Sequence, residues 1–395
     1  MIKSYKIRLY PTEEQEALLW KHVNASRYIW NWALAKQMEL FEKGEKFLSG
    51  YSMKKEVTKL KAEQPFLREV SAQTLAVAIL DLDEAYKKFF TIQKQGKKFG
   101  DKTKIRVPYN MLGHPKFKKH NLAKKSFYTR YDALYLTEDT VNIEKIGKVK
   151  YKTDLQLPIV GKRRENKTKF INPRVKYEND KWILSFGIEQ KFETLETFEM
   201  PELKDFSLGI DLGTKTLATV SNGDKYSNPN KTKSYRKLYK QLEQKQRKYS
   251  KQAKKAKSGK NQAKTLKRVK KLHSKIANKR IDYIHKMTHK IVSLLPRAIA
   301  VEDLNVKGMM KNKKLAKHIG RACFHEILRQ LEYKCKHRGI RFIKADRFFP
   351  SSKKCSNCGN IKHDLKLKDR VYNCGTCGSV LDRDVNAAVN LEILA

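Results

Sequence analysis

Phe206-Ser207-Leu208-Gly209-Ile210-Asp211-Leu212-Gly213-Thr214 is the stretch on which the fold turns. An apolar run carries a single acid to its end, and Gly213 lets the chain return at once as Leu217-Ala218-Thr219-Val220. A largely apolar strand of this kind delivers Asp211 at its C-terminal end. There it can hold a divalent cation, although one such acid is weak evidence.

Two further acids strengthen the case. Ile299-Ala300-Val301-Glu302-Asp303 repeats the pattern of a buried strand ending in a carboxylate. Asp382-Arg383-Asp384-Val385-Asn386-Ala387-Ala388-Val389-Asn390 reads as a helix start, with small alanines that allow close packing on a sheet. Acids favour helix N-termini without any metal, so capping is the plain reading of either aspartate. Two strand ends and one helix start can converge on one edge of a sheet. Two Mg²⁺ or Mn²⁺ ions bridged by such acids would activate water and stabilise the leaving oxygen in phosphodiester hydrolysis. The Gly209–Thr214 string also occurs in the phosphate loop of sugar kinases and Hsp70-like ATPases. That alternative leaves the charge and the cysteines of this chain unexplained.

The cysteines are the most specific local signal. Cys355-x2-Cys358 is followed after fifteen residues by Cys374-x2-Cys377, with Gly359 and Gly378 closing each knuckle. Four thiolates in this layout match one tetrahedral structural Zn²⁺ with no open position. The remaining two, Cys323 and Cys335, read as ordinary buried residues on a helix at about 318–337. The paired spacing, without a secretory signal, points to a reducing compartment rather than to disulfides.

The chain has 395 residues, with 87 Lys and Arg against 41 Asp and Glu, a net charge of +46. That excess calls for a large polyanion, and an extended nucleic acid fits best. No apolar run approaches the length of a membrane span. Between 231 and 280 there are 21 basic residues and one acid, Glu243, interleaved with Leu238, Leu242, Leu266, Val269, Leu272 and Ile276. This predicts a helical hairpin lying against phosphates, broken near Ser258-Gly259. Lys254, Lys255, Lys267 and Arg268 there, with Lys116, Lys118, Lys119, Arg163 and Arg164 in basic loops, are the candidate nucleic-acid contacts.

Upstream, residues 1–10 alternate as a strand, and Pro11 ends it. Thr12 with Gln15 forms a capping box that opens a helical domain over 11–95. Short alternating runs over 100–200 predict a small β-barrel or sheet domain, which the N-terminal strand could close.

Taken together, the motifs resemble the TnpB family of transposon-encoded RNA-guided nucleases, and through it the compact type V CRISPR effectors. The resemblance is carried by Arg8-Leu9-Tyr10-Pro11, by Leu80-Asp81-Leu82-Asp83, and by Gly209–Gly213. It continues through Val301-Glu302-Asp303-Leu304, Leu331-Glu332-Tyr333-Lys334, Pro350-Ser351-Ser352-Lys353 with the first cysteine pair, and Asp382–Asn390. It implies an α/β multidomain fold. A ribonuclease H-like (RuvC) nuclease domain over 203–348 and 381–395 would carry a zinc-ribbon insertion at 349–380. A helical recognition domain at 11–95 and a β-barrel wedge domain, 1–10 with 100–200, would precede it. It implies Asp211, Glu302 and Asp384 as the catalytic, magnesium-holding trio, with Asp382 the less favoured third member. The implied partners are a guide RNA from the transposon end and double-stranded target DNA. The expected state is a monomer in the prokaryotic cytoplasm, at the nucleoid. A guided repressor that does not cut and a DNA-strand-transfer transposase are the competing readings.

Overall fold

The computed structural model describes residues 2–96, 113–120, 123–153, 157, 170–189, 201–254, 259–366 and 369–395. They fall into two compact units, Met1–Thr197 and Phe198–Ala395.

The first unit opens with β1 (Ile2–Tyr10), which buries Tyr5, Ile7 and Leu9 and exposes Lys6 and Arg8. Pro11 stops it and Thr12 starts α1 (Glu13–Glu42). The Thr12 hydroxyl accepts the Gln15 amide at 3.3 Å, and the Gln15 side chain accepts the Thr12 amide at 3.1 Å, the reciprocal cap read from the sequence. α2 (Gly50–Glu63) and α3 (Ala72–Gly96) complete a helical layer around Ile29, Leu34, Met53, Leu75, Ile79 and Leu82. Six short strands follow: β2 (Ser126–Tyr128), β3 (Tyr135–Leu136), β4 (Thr140–Ile143), β5 (Gly147–Lys152), β6 (Phe170–Glu178) and β7 (Lys181–Glu189).

These strands and β1 form one antiparallel sheet in the order β2-β6-β7-β1-β5-β4-β3. The N-terminal strand does join the sheet, but at its centre, and the sheet is not a closed barrel. Its outer strands β2 and β3 are only three and two residues long and pair with β6 and β4 alone. Strands that short offer little ladder for closure. Burial comes instead from a helix: Leu19 and Val23 of α1 share one apolar cluster with Ile7, Phe127, Val149, Val175 and Leu184.

The second unit contains β8 (Lys204–Asp211), β9 (Thr216–Val220) and β10 (Lys225–Ser227), then α4 (Lys233–Lys254) and α5 (Lys260–Val292). After them come β11 (Pro296–Glu302), α6 (Val306–Met309), α7 (Lys313–Ala322), α8 (Phe324–His337) and β12 (Arg341–Ala345). The ribbon strands β13 (Val371–Asn373) and β14 (Val380–Asp382) and the last helix α9 (Arg383–Glu392) close the chain. α7 and α8 replace the single helix expected at about 318–337. Cys323 between them sits in the left-handed region at φ 56°, so it is a corner residue and only half-buried, unlike the fully buried Cys335.

Five strands form a mixed sheet in the order β10-β9-β8-β11-β12. β8, β11 and β12 run parallel; β9 is antiparallel to β8, and β10 to β9. Alternate residues of β11 serve opposite faces. Ile299 and Val301 pack with Ile284, Ile291, Ile327 and Leu331 of α5 and α8, whereas Ala300 packs with Leu391 of α9. Both faces are covered, which explains why Ala298–Val301 is apolar without a break.

Candidate active site

Parallel pairing sets Val301 beside Ile210, so Asp211 and Glu302, one residue further on, leave the same end of the sheet. α9 lies against β8 so closely that a Cβ on Gly209 would come within 1.9 Å of the Ala388 carbonyl oxygen. Only glycine fits there, and Ala387 and Ala388 present little bulk of their own. The close approach brings the first turn of α9 to the carboxylate end of β8. Burial, together with the Glu302 and Asp384 carboxylates, pushes the Asp211 carboxyl up to about 7, against the pull of Arg383 and Arg370. Glu302 is also raised by burial, moderated by a hydrogen bond from Ser351 and by Arg383. Asp211 thus feels both Glu302 and Asp384 at this sheet edge, although among the described residues only the four cysteines bring their ligand atoms within 4.8 Å of one another.

The two aspartates of the helix start have separate tasks. Asp382 is the N-cap of α9, its side chain accepting the amides of Asp384 at 3.0 Å and Val385 at 3.1 Å. Lys225 Nζ lies 2.6 Å from its other oxygen. Partial burial pulls the Asp382 carboxyl upward, but Lys225 and the two amides hold it below the ordinary carboxylate range. Its acceptors are therefore engaged. Asp384 instead faces Asp211, with Arg370 Nη1 3.8 Å away.

The four cysteines gather as their spacing predicts, with all four Sγ atoms within 4.8 Å of one another. Cys355 and Cys377 approach to 3.8 Å, and Cys358 and Cys374 to 3.5 Å. Four sulfurs about 2.3 Å from a common tetrahedral centre would stand about 3.8 Å apart, so the cage has the size of a thiolate metal site. Hydrogen bonds from the Ser379 side chain and backbone draw the Cys377 thiol down to about 6. The Asn360 amide pulls Cys358 the same way, but sharing protons with Cys377 and the other thiols leaves it at about 12. Gly359 and Gly378 take φ of 78° and 71° at the knuckle turns.

Sequence reasoning did not assign the residues that fasten this cluster to the acids. Asn386 accepts the Ser356 amide at 2.9 Å and donates to the Lys354 carbonyl at 2.7 Å. Asn390 donates to the carbonyls of Ser351 and Lys354 at 2.8 and 2.6 Å. α9 is therefore tied to the first knuckle along two turns. Ser351, 3% exposed, connects that knuckle to Glu302.

Among the candidate phosphate contacts, Lys116, Lys119, Lys254, Lys267 and Arg268 are exposed. Lys118 is not presented in the same way: its ammonium sits 3.5 Å over the Trp30 ring, and burial lowers it to about 8. Arg163, Arg164 and Lys255 lie outside the described residues. The expected hairpin is present as α4 and α5, held by Leu238, Leu242, Val269 and Ile276. No described helix is long and apolar enough to cross a membrane.

Residues 189–313 match the family described as "Probable transposase" (OrfB_IS605), and residues 324–391 match the Cas12f1-like TNB domain. Residues 1–46, which here form β1 and α1, match a family described as a helix-turn-helix domain. A Streptomyces pristinaespiralis protein named "Putative RNA-guided DNA endonuclease" is 30% identical over 98% of this chain and 88% of its own length. "Putative RNA-guided DNA endonuclease InsQ" of Escherichia coli K12 is 28% identical over 99% and 91%. Among solved structures, the chain in "Cryo-EM structure of the Cas12f1-sgRNA-target DNA complex" aligns with a TM-score of 0.50 at 15% identity, covering 99% of this chain and 98% of that one. The two share an α/β fold.

Proposed function

The chain belongs to the TnpB family, and on that premise we propose that it is an RNA-guided DNA endonuclease with a RuvC-type, divalent-metal-dependent site at Asp211, Glu302 and Asp384. The observation that carries the reading is the Asp211 carboxyl at the sheet edge, raised to about 7 by burial and by the Glu302 and Asp384 carboxylates. A structural ion pair would push that value down. A buried group of acids with too few cations around it is a site that gains from a bound dication. The strand order β10-β9-β8-β11-β12, with β9 running against the other four, supports a ribonuclease H-like core. The near full-length relatives named as RNA-guided endonucleases point the same way.

The donors are hard carboxylate oxygens, which suit Mg²⁺ or Mn²⁺. When bound, such ions supply an activated water and charge stabilisation at the leaving oxygen. The protein's own groups do the positioning. Ser351 fixes Glu302, Gly209 admits α9, and the Asp382 cap orients Asp384 away from its own helix start. Arg370, beside Asp384, is placed to meet a substrate phosphate. Cys355, Cys358, Cys374 and Cys377 hold one structural Zn²⁺, with every ligand position taken.

By this reading 203–348 with 381–395 is the nuclease domain and 349–380 its zinc ribbon. Residues 11–95 are the recognition domain, and 1–10 with 100–200 the wedge domain that helps grip a guide RNA. Pairing with the guide selects the DNA, next to a short flanking motif read by the protein.

The test uses the chain with its copurifying RNA and a matching DNA duplex. Asp211→Ala, Glu302→Ala and Asp384→Ala should each lower cleavage by about 10³-fold, equivalent to several kcal/mol of lost transition-state stabilisation, with DNA binding retained. EDTA should stop cutting, and Mg²⁺ or Mn²⁺ restore it. Undiminished cutting by these variants would sink the site. Binding without any cutting by the wild type would favour a guided repressor, and joining of free 3′-OH ends a strand-transfer enzyme.

A further inference from the structure

Phe348 is 89% exposed, more than any other large apolar side chain among the described residues. A single exposed phenylalanine is ordinary on a protein surface. Its setting is not. The Phe348 amide donates to Asp346 Oδ1 at 2.8 Å, and the Phe349 amide to the Asp346 carbonyl at 3.1 Å. The Ser351 amide donates to the Phe349 carbonyl at 2.8 Å. Arg347 reaches Asp303 at 2.7 Å. Phe349 is tucked against Ala300, Ala345 and Leu391, while Ser351 bonds Glu302. The turn is thus fastened on both sides of Phe348, to Asp303 by one neighbour and to Glu302 by another. What it holds out, beside the carboxylates, is one bare aromatic ring.

We propose that Phe348 is a stacking platform for one unpaired base of the DNA strand entering the carboxylate site, and that it sets the register of the cut. This rests on the nuclease reading above and goes further by naming the form of the substrate. A duplex keeps its base faces stacked internally, so an unpaired base is the partner an isolated ring can stack on without the cost of prising base steps apart. The surroundings suit a nucleic acid strand rather than an apolar partner. Arg347, next to Phe348 in the chain, pairs with Asp303, while Arg370 pairs with Asp384 and Arg383 acts on Asp211, so cations accompany the acids on which this turn is fastened. Phe348 acts as a positioning residue, since the acids carry the chemistry.

The experiment compares wild type, Phe348→Ala, Phe348→Leu and Phe348→Trp, each with its copurifying RNA, on single-stranded DNA complementary to that RNA. Phe348→Ala should raise KM by about 5- to 100-fold, with kcat little changed, and spread the cut over neighbouring positions. Phe348→Leu should resemble Phe348→Ala, because it keeps bulk but lacks a π face, and Phe348→Trp should rescue. An abasic residue at one position near the cut should impose the same loss on wild type and add nothing to Phe348→Ala. Unchanged KM and cut register in Phe348→Ala, failure of the Trp rescue, or an equal abasic penalty in both proteins would each overturn the proposal. A second measurement does not need cleavage. 2-Aminopurine at that DNA position should be quenched on binding to the Asp211→Ala chain, and the quenching lost when Phe348→Ala is added. Quenching by a chain that never cuts with Mg²⁺ would sink the nuclease reading but not the stacking. Cutting without quenching at any position would sink the stacking alone.

Discussion

Asp211 carries the sharpest electrostatic conflict in the second unit. Its carboxyl is pushed from the usual 3.8 to about 7 by burial and two acidic neighbours. A carboxyl that binds its proton more tightly folded than unfolded favours the fold while protonated. That contribution is complete below about pH 4 and is lost as pH rises through 7. In metal-free protein, Asp211→Asn should therefore raise the melting temperature at pH 8, by up to about 2–4 kcal/mol of stability, and change little at pH 4. Thermal melts in EDTA at the two pH values read this directly, and added Mg²⁺ should stabilise the wild type at pH 8 but much less the variant. The neighbouring aspartates make a second contrast. Asp382→Asn keeps a good helix cap and should keep cutting, whereas Asp384→Asn should lose it. Cleavage rates for the two variants decide the matter, and full cutting by Asp384→Asn with loss in Asp382→Asn would move the third ligand to Asp382. Asp211 and Glu302 were legible in the sequence because each ends an apolar strand. Asp384 was favoured over Asp382 there by the family resemblance alone. Both head the same helix, and only the side-chain geometry gives the amides to the first.

At the scale of elements, α9 is clamped between β8 and the cysteine knuckles, so the cysteine cluster and the acids are mechanically joined. Asn386 and Asn390 make that joint through backbone carbonyls of Ser351 and Lys354. Cys374→Ser should lower metal content below one zinc per chain and destabilise the protein. It should also reduce cleavage partially, because a loosened knuckle frees the start of α9. Elemental analysis of reduced, freshly purified protein, alongside cleavage rates, tests the link; full metal loss with unchanged cutting would break it. The Cys-x2-Cys pairs and the small Ala387-Ala388 were readable from spacing and size. The asparagine tethers were not, since backbone carbonyls leave no signature in the residue pattern. Two elements were misjudged for similar reasons. Apolar spacing runs on through Ile319, Phe324 and Ile327, so the corner at Cys323, lacking glycine or proline, was hidden. The alternation over 100–200 revealed strands but not their lengths, and the lengths of β2 and β3 are what leave the sheet open.

For the whole molecule, the governing quantity is the net charge of +46. Each phosphate neutralised on duplex DNA adds about 0.9 log unit of salt sensitivity. A surface this basic would hold random DNA tightly at low salt, which conflicts with selective cutting. On the proposed reading a folded RNA would resolve the conflict by occupying much of that surface and supplying the strand that pairs with the target. α4 and α5 are the clearest candidate contact, with Lys254, Lys267 and Arg268 exposed along them and only a thin apolar seam between. The purified protein should therefore carry structured RNA, and site-specific duplex cleavage should depend on it. Charge reversal at Lys267 and Arg268 should weaken binding of that RNA or of its DNA hybrid and flatten the salt slope by roughly one log unit for each phosphate no longer neutralised. The decisive sample is protein treated with RNase, shown by circular dichroism to be folded and by absorbance to be free of nucleic acid, then given a plasmid and Mg²⁺. It should bind the plasmid without selective cutting, and regain cutting when the copurified RNA is returned. Site-specific double-strand cleavage by the RNA-free protein, indifferent to added RNA, would assign target selection to the protein itself.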